Sequence, residues 1–222
     1  MRGFVVQYTP APLPASAPLH GGIAFIDRDG VLNIGSSEYI NHPSEFVSLP
    51  KAAKAVGMLR RAGFQICVVT NQSPIMRGLW DEHRLHEIHN HMRAVFLESD
   101  EDAHFDMILA CPHRHRDRCI CRKPMPGMLR FGQNVLRGNV DHCEGESVAE
   151  LSSQYGQVDW WGEKPTPTNP VDCMVGDRGS DMGAGWAQGL RLFQVDATHG
   201  ISPVIDAILD MENSGDDFHP VR

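Results

Sequence analysis

Two aspartates stand one residue apart in the segment FIDRDGVLN, where an apolar run gives way to a glycine. Residues i and i+2 of a strand point to the same side, so Asp27 at a strand end and Asp29 in the following loop can direct their carboxyl groups toward one point. Like charges so close need a shared proton, a cation or surrounding solvent. The pair alone leaves these three interpretations open.

Polar residues also end two later apolar runs. Thr70 closes FQICVVT and is followed by Asn71 and Gln72, while Asp177 and Asp181 follow CMVG. Parallel sheets bind ligands at the carboxyl ends of their strands. Three polar clusters at one edge of one predicted sheet therefore favour a binding site over ordinary solvated loops.

Short, nearly continuous apolar runs alternate with helical segments along the chain. This pattern predicts an α/β fold, with a doubly wound, Rossmann-like parallel sheet and helices on both faces. The predicted strands are 22–27, 64–70, 105–111, 172–177 and 190–196, and the predicted helices are 51–63, 81–99, 126–138, 178–189 and 202–213.

The domain organisation is predicted from breaks in this alternation. Residues 1–22 are expected to form an irregular N-terminal arm, 23–213 a single domain and 214–222 a C-terminal tail. Residues 139–171, rich in polar residues, glycine and proline, interrupt the domain as an insertion. Within the insertion, Trp160 and Trp161 either cover a pocket or dock the insertion onto the domain, and we expect docking.

Bulk composition limits the class of protein. A chain of 222 residues with formal net charge -8 fits one well-buried core and argues against non-specific nucleic-acid binding by the whole surface. Prolines interrupt the apolar start before a signal peptide or membrane span could form. We therefore expect a cytoplasmic protein, a monomer or weak homo-oligomer, with no membrane or nucleic-acid partner.

The segment CPHRHRDRCIC has the composition of a metal-binding loop. Cys111, His113, Cys119 and Cys121 form a C-x-H…C-x-C set suited to tetrahedral Zn²⁺, with His115 as the alternative to His113. With four protein ligands the metal would have a structural role, because it would fix the loop that leads directly into Arg122 and Lys123. Unligated thiols are the other interpretation.

Two further groups of possible ligands are given structural interpretations. Two other cysteines, Cys67 and Cys173, lie in apolar runs and are expected to be inert core thiols. A helix rich in histidine is expected to be partly solvated rather than a second metal site, because the spacing does not place all four rings on one face. Its histidines are His83, His86, His89 and His91.

Four motifs in this order, DRDGVLN, VVTNQS, CRKPMPGML and GDRGSD, resemble the haloacid dehalogenase (HAD) superfamily of phosphatases. More narrowly, the chain resembles the zinc-containing heptose-1,7-bisphosphate 7-phosphatases, with the histidinol-phosphate phosphatases as close relatives. The resemblance covers roughly residues 23–136 and 172–210. It implies a HAD-like fold with a minimal cap and a structural zinc loop.

The resemblance also implies catalytic roles. Asp27 would be the nucleophile that forms an aspartyl-phosphate, and Asp29 the general acid and later the base. Mg²⁺ would be held by the side chains of Asp27 and Asp177 and the backbone carbonyl of Asp29, with Asp181 supporting the site without direct ligation. Thr70 and Lys123 would contact the transferring phosphoryl group.

Substrate contacts are expected from residues near these motifs. The candidates are Asn71, Gln72, Ser73, Arg77, Arg122 and Arg178. The substrate expected from the resemblance is a small sugar phosphate, most closely the C7 phosphate of a heptose bisphosphate, with histidinol phosphate as the alternative. Pro74 stands where these phosphatases usually have glycine, and it stiffens the loop and removes an N–H group. The insertion is also atypical.

The sequence also allows two alternative functions. The basic run RHRDRCICRK around a zinc site could belong to a nucleic-acid-binding module. The same aspartyl intermediate could also transfer its phosphoryl group to an acceptor other than water. Loss of turnover in Asp27→Asn with the fold retained would separate an enzyme from a nucleic-acid binder.

Overall fold

A single seven-stranded sheet forms the centre of the protein. The computed structural model describes residues 3–221. The strands lie in the order β5-β1-β4-β3-β2-β6-β7. Their bounds are β1 Phe4–Tyr8, β2 Ile23–Ile26, β3 Gln65–Asn71, β4 Met107–Cys111, β5 Gly145–Ala149, β6 Cys173–Gly176 and β7 Arg191–Gln194.

Six α-helices accompany the sheet in the described part of the chain. Their bounds are α1 Ala52–Arg61, α2 Pro74–Arg77, α3 Glu82–Ser99, α4 Gly127–Leu136, α5 Gly179–Trp186 and α6 Ile205–Leu209. The predicted last helix, 202–213, is shorter than expected, with a 3-10 turn at Ser202–Val204 before α6. None of the helices described is both long and apolar enough to cross a membrane.

Five strands form the parallel part of the sheet. β2 pairs in parallel with β3 and β6, β3 with β4, and β6 with β7. The residues of β2, β4 and β6 are all buried, as expected for strands covered on both faces. The predicted doubly wound α/β architecture is therefore confirmed.

Side chains of β2 alternate between two cores. Ala24 and Ile26 face the core built with α1, α3 and α6, whereas Ile23 and Phe25 face the core built with α4 and α5. All four are fully buried. Burying each large apolar side chain contributes about 1.5–3 kcal/mol, so helices on both faces hold β2 and the loop that follows it in place.

The predicted irregular N-terminal arm is wrong for residues Phe4–Tyr8. These residues form β1, which pairs antiparallel with β4 and with β5. The sheet is therefore mixed rather than wholly parallel. The prolines at positions 10, 12 and 14 hid this short strand, because they made the whole segment read as irregular.

The insertion and the tail both join the domain. β5 lies inside the predicted insertion 139–171 and forms an edge of the sheet. Trp160 stacks on Trp186 of α5 with ring centroids 6.2 Å apart, which fits the expected docking role, while Trp161 is 82% exposed. In the tail, Asp216 binds β7 through its backbone N–H and its side chain. The division into arm, domain, insertion and tail stays a prediction.

The carboxyl ends of three parallel strands meet at one edge of the sheet. β2 ends at Ile26, β3 at Asn71 and β6 at Gly176. Because these strands are direct neighbours, the loops that follow them converge. This edge carries the polar clusters that the sequence places after each strand.

Candidate active site

Three carboxylates meet at this edge of the sheet. One oxygen each from Asp27, Asp177 and Asp181 lies within 4.8 Å of the others. Asp27 and Asp177 directly follow β2 and β6, and Asp181 lies in the first turn of α5. Carboxylate oxygens are the ligands that Mg²⁺ prefers, so this group has the donor chemistry of a magnesium site.

Lys123 lies between two of these carboxylates. Its Nζ is 2.8 Å from Asp27 Oδ1 and 2.7 Å from Asp181 Oδ1, and it donates to the carbonyl of Val69 at 2.6 Å. The lysine is 3% exposed. A buried ammonium fixed in this way places a positive charge beside the predicted nucleophile, where a phosphoryl group carries negative charge in its transition state.

The electrostatics of the group fit a divalent cation. Burial, opposed by Lys123 and assisted by Asp181, raises the pKa of Asp27 to about 7. Burial and Asp181 also raise the pKa of Asp177. Asp177 Oδ1 is buried and has no hydrogen-bond partner among the described residues. A bound cation would offset the repulsion between these carboxylates and would give the unpaired oxygen of Asp177 a partner.

Asp181 is closer to the site than the sequence indicated. Its Oδ2 accepts a hydrogen bond from the backbone N–H of Arg178 at 3.0 Å and so caps α5, while Oδ1 contacts Lys123. One carboxylate thereby couples the start of α5 to the lysine. Its expected role as a supporting residue rather than a direct ligand stays a prediction.

The Asp29 side chain lies outside the carboxylate trio. It accepts hydrogen bonds from Arg28, from Asn33 at 3.0 Å and from Gln72 at 2.9 Å. Burial alone would raise the pKa of Asp29, but the Arg28 guanidinium and these hydrogen bonds together lower it below its usual value. These surroundings favour the ionised form of Asp29, so its predicted use as an acid requires a change in them.

The end of β3 connects the surroundings of Asp29 with those of Lys123. Thr70 is buried, and its hydroxyl accepts from the Gln72 side chain at 2.9 Å. Asn71 exchanges hydrogen bonds with the backbone of Lys123. Ser73 is buried directly before α2, where its hydroxyl faces Arg77 Nε at 3.4 Å. These contacts order the predicted phosphate loop, whereas its contacts with substrate stay predictions.

A cleft of about 900 Å³ opens next to these residues. Its lining includes Asp29, Gln72, Asp177 and Arg178 from the predicted site, together with the loop 34–40. The Arg178 side chain is 72% exposed and lies 3.6 Å from Asp177 Oδ2. Arg178 is the one predicted substrate arginine among the described residues that line the cleft.

The other two predicted arginines are placed differently. Arg122 donates from Nη1 to the carbonyl of His113 at 2.9 Å, so it braces the cysteine-rich loop. Arg77 is exposed at the end of α2. A role in substrate binding stays a prediction for both residues.

Sequence reasoning missed three buried residues beside Asp29. Arg28, Asn33 and His89 are each no more than 1% exposed. Arg28 and Asn33 bond directly to Asp29, and His89 contacts Arg28 at 3.3 Å. α3 is partly solvated, as expected, and His89 lies on its buried side. Arginine inside an otherwise apolar strand end is the one signal that could have marked this network, because a buried guanidinium requires acceptors.

The predicted metal loop gathers its four side chains around one point. The Sγ atoms of Cys111, Cys119 and Cys121 lie 3.3–3.5 Å apart, and His113 Nδ1 is 3.2 Å from Cys121 Sγ. Tetrahedral Zn²⁺ sets sulfurs about 3.8 Å apart, whereas a disulfide sets them at about 2.05 Å. His115, the alternative ligand, is exposed. The cluster is therefore compatible with zinc.

Curated proteins similar to this chain are named heptose-1,7-bisphosphate 7-phosphatases. The chain is 38% identical to the D-glycero-beta-D-manno-heptose-1,7-bisphosphate 7-phosphatase of Bordetella bronchiseptica over 144 residues. These residues span 62% of this chain and 78% of that protein. The chain belongs to the heptose-1,7-bisphosphate 7-phosphatase family. No family model matches it.

Other members of this family differ in how far they match and in the anomer that they are named for. The Pseudomonas aeruginosa enzyme, named for the beta anomer, is 40% identical over 108 residues, which span 49% of this chain and 60% of that enzyme. The Mycobacterium tuberculosis enzyme, named for the alpha anomer, is 32% identical over 166 residues, spanning 73% and 70%.

Solved structures agree with the family assignment. The B. bronchiseptica heptose bisphosphate phosphatase, crystallised with magnesium and phosphate, matches with a TM-score of 0.60 and 28% identity over 84% of this chain and 86% of that one. A HAD-like phosphatase from Mesorhizobium loti shares the fold, with a TM-score of 0.67 at 24% identity over 98% and 97%. The HAD-like phosphatase fold of this family is therefore the fold of this chain.

Proposed function

We propose that this chain is a Mg²⁺-dependent phosphatase that hydrolyses the C7 phosphate of D-glycero-D-manno-heptose 1,7-bisphosphate. The family supports the substrate, and one observation supports the chemistry. Lys123 contacts both Asp27 and Asp181. An oxygen of Asp177 lies within 4.8 Å of theirs, and Asp177 Oδ1 is buried with no hydrogen-bond partner among the described residues. A nucleophilic carboxylate, a fixed cation and further hard-oxygen donors are the parts that phosphoryl transfer requires.

Asp27 begins the reaction in this proposal. Its carboxylate attacks phosphorus, the bond from phosphorus to the sugar oxygen breaks, and the phosphoryl group passes to Asp27 as an acyl phosphate. Mg²⁺ held by Asp27, Asp177 and the Asp29 carbonyl would neutralise charge on the phosphoryl oxygens. Lys123 would add a second positive charge on the same group.

Asp29 moves the protons. A phosphate dianion entering beside Asp29 raises the proton affinity of its carboxylate, because like charges disfavour ionisation. The protonated Asp29 then donates to the departing sugar alkoxide. In the second displacement the same carboxylate takes a proton from water, whose oxygen attacks phosphorus. The bond from phosphorus to Asp27 breaks, so inorganic phosphate is released and the Asp27 carboxylate is restored.

Phosphate release from a substrate panel tests this function. Both anomers of heptose 1,7-bisphosphate and histidinol phosphate are compared with Mg²⁺ present or chelated, using wild type and Asp27→Asn. We expect a heptose bisphosphate to have the highest kcat/KM, and both chelation and Asp27→Asn to abolish turnover. Release by Asp27→Asn at the wild-type rate would overturn the mechanism, whereas a preference for histidinol phosphate would overturn only the substrate assignment.

We also propose that Cys111, His113, Cys119 and Cys121 hold a structural Zn²⁺. The separations of their ligand atoms and the position of the loop support this proposal. Arg122, directly after the loop, donates a hydrogen bond to the carbonyl of His113 within it. Lys123 is the next residue, so a fixed loop also fixes the position of Lys123. A cytoplasmic location agrees with six cysteines that all lack disulfide partners.

The nucleic-acid alternative has little support from the contacts. In the basic run, Arg114 pairs with Asp117, Arg122 binds a carbonyl, and Lys123 is buried among carboxylates. Three of the five Arg and Lys side chains of the run are therefore engaged within the protein, and the exposed ones are Arg116 and Arg118.

A further inference from the structure

A buried line of polar side chains leads away from Asp29 into the protein. Arg28 forks onto the Asp29 carboxylate, with Nε 3.1 Å from Oδ1 and Nη2 2.9 Å from Oδ2. The remaining nitrogen, Nη1, faces Nε2 of His89 on α3 at 3.3 Å. Arg28 is 1% exposed and His89 is completely buried. The orientation of the guanidinium therefore depends on contacts at both of its ends.

The neighbours of His89 fix the tautomer of its ring. A guanidinium only donates hydrogen bonds, so His89 Nε2 must be the acceptor and its proton must lie on Nδ1. His89 Nδ1 is 2.6 Å from Oε1 of Gln7 on β1. The amide nitrogen of Gln7 donates to Glu146 of β5 at 3.3 Å, which sets the amide orientation and leaves Oε1 as the acceptor.

The ring is held neutral by the same surroundings. Burial, together with the cations Arg28 and Arg93 and with His86, holds the pKa of His89 well below its usual value. A protonated ring would point an N–H group at the N–H groups of Arg28. His89 therefore works as a fixed acceptor, and every bond in the line has one orientation.

We propose that His89 is a positioning residue for proton transfer, which sets the Arg28 fork and thereby aims the Asp29 carboxylate at the leaving oxygen. This inference rests on the proposed function. Without His89, Nη1 of the buried Arg28 would lose its acceptor, and the guanidinium would rotate toward another. Asp29 would then lose the geometry that general acid catalysis requires.

Substrates that differ in leaving group separate positioning from simple structural support. A sugar alkoxide needs a proton in order to leave, whereas the nitrophenolate of p-nitrophenyl phosphate does not. kcat/KM reports only steps up to the first irreversible one, which here is formation of the aspartyl-phosphate. Mispositioned Asp29 therefore lowers kcat/KM for the sugar phosphate much more than for the aryl phosphate. A loss of folded enzyme lowers both equally.

The variants are His89→Leu, His89→Gln and His83→Leu. We expect His89→Leu to lower kcat/KM for heptose bisphosphate by about 10-fold or more, with a much smaller loss on p-nitrophenyl phosphate. His89→Gln restores most of the activity, because its amide oxygen can accept from Arg28. His83 lies on the same helix but is 81% exposed, so its leucine variant matches wild type on both substrates. Equal losses on both substrates in His89→Leu would overturn the proposal.

Nitrogen-15 NMR of the histidine rings supplies a readout that does not depend on turnover. We expect a neutral Nδ1–H tautomer for His89 in the wild-type protein, unchanged between about pH 6 and 8. An Nε2–H tautomer or a charged ring would overturn the inference even in an active enzyme. If wild type released no phosphate from any substrate, the proposed function would fail, while the NMR result would still decide the hydrogen-bond line.

Discussion

Asn71 and Lys123 exchange two hydrogen bonds across the candidate site. The Lys123 backbone N–H donates to Asn71 Oδ1 at 3.1 Å, and Asn71 Nδ2 donates to the Lys123 carbonyl at 3.2 Å. Asn71 is the last residue of β3, and Lys123 follows the cysteine-rich loop. One side chain thus sets the distance between the phosphate loop and the lysine that contacts Asp27.

Replacement of Asn71 by alanine is expected to impair both stability and turnover. Two partly buried backbone groups lose their partner, which costs about 1–3 kcal/mol in free energy of unfolding, and Lys123 loses its anchor. Urea denaturation and phosphate release measure the two effects. Asn139→Ala, at an exposed position after α4, is the matched control. Asn71→Ala as stable and as active as that control would contradict this role.

The stability of the metal-free protein should depend on the ionisation of Asp27. Burial, partly offset by Lys123, raises the folded-state pKa of Asp27 from 3.8 to about 7. The folded state therefore binds this proton more tightly than the unfolded state does. The contribution of Asp27 to stability is full below about pH 4 and declines as the pH rises toward 7, by at most about 1.4 kcal/mol per pH unit.

Asp27→Asn isolates this effect, because asparagine resembles the protonated carboxyl group but cannot ionise. We expect the free energy of unfolding of wild type, measured relative to this variant, to fall between pH 4 and 7. Saturating Mg²⁺ should reduce that fall, since a bound cation favours the ionised carboxylate. A difference between the two proteins that does not change with pH in the absence of metal would argue against the raised pKa.

Gly30 leaves room for Asp177. Its φ is +81°, and a Cβ at this position would lie 2.7 Å from Asp177 Oδ2. Gly30→Ala is expected to shift that carboxylate and to raise the Mg²⁺ concentration for half-maximal activity by about 10-fold or more. Activity titrations with Mg²⁺ measure the shift.

Gly138 supplies the control for backbone strain. Its φ is +68°, and a Cβ would meet no described atom within 4 Å. Gly138→Ala should therefore lose about 1 kcal/mol of stability and keep the wild-type Mg²⁺ dependence. If the two alanine variants required the same Mg²⁺ concentration, crowding of Asp177 would not be the cause.

Removal of one ligand from the cysteine-rich cluster should lower both metal content and activity. Cys121→Ser is expected to bind less than one Zn²⁺ per chain, to unfold at a lower temperature and to lose turnover, because Lys123 follows the loop by two residues. Elemental analysis, thermal unfolding and phosphate release measure these effects. Cys143 is exposed and lies outside the cluster, so Cys143→Ser is the control. Full zinc content and stability in Cys121→Ser would contradict a four-ligand site.

The parallel part of the fold could be predicted because its strands carry a strong local signal. Segments such as Ile23–Ile26 and Met107–Cys111 are apolar throughout, and they are covered on both faces. β1 and β5 lacked such a signal. Val148 of β5 is 51% exposed, and the strand is stabilised by pairing with β1, which no local pattern records.

The candidate site likewise contains residues that the sequence could predict and residues that it could not. Asp27, Asp177 and Lys123 could be placed together because each directly follows a recognisable motif or strand. His89 could not, because its burial depends on Gln7 and Arg28, which are 82 and 61 residues away. Long-range contacts of this kind decide whether a polar residue of an amphipathic helix is solvated or buried.

The position of β1 between β4 and β5 governs the order of assembly during synthesis. Gln7 meets Glu146 only after 139 further residues have been made. The parallel strands β2 and β3 can pair on the ribosome long before then, whereas the first strand of the chain must wait for its second neighbour. Pairing of β1 with β5 is therefore a late event in the folding of a newly made molecule, and it also completes the surroundings of His89.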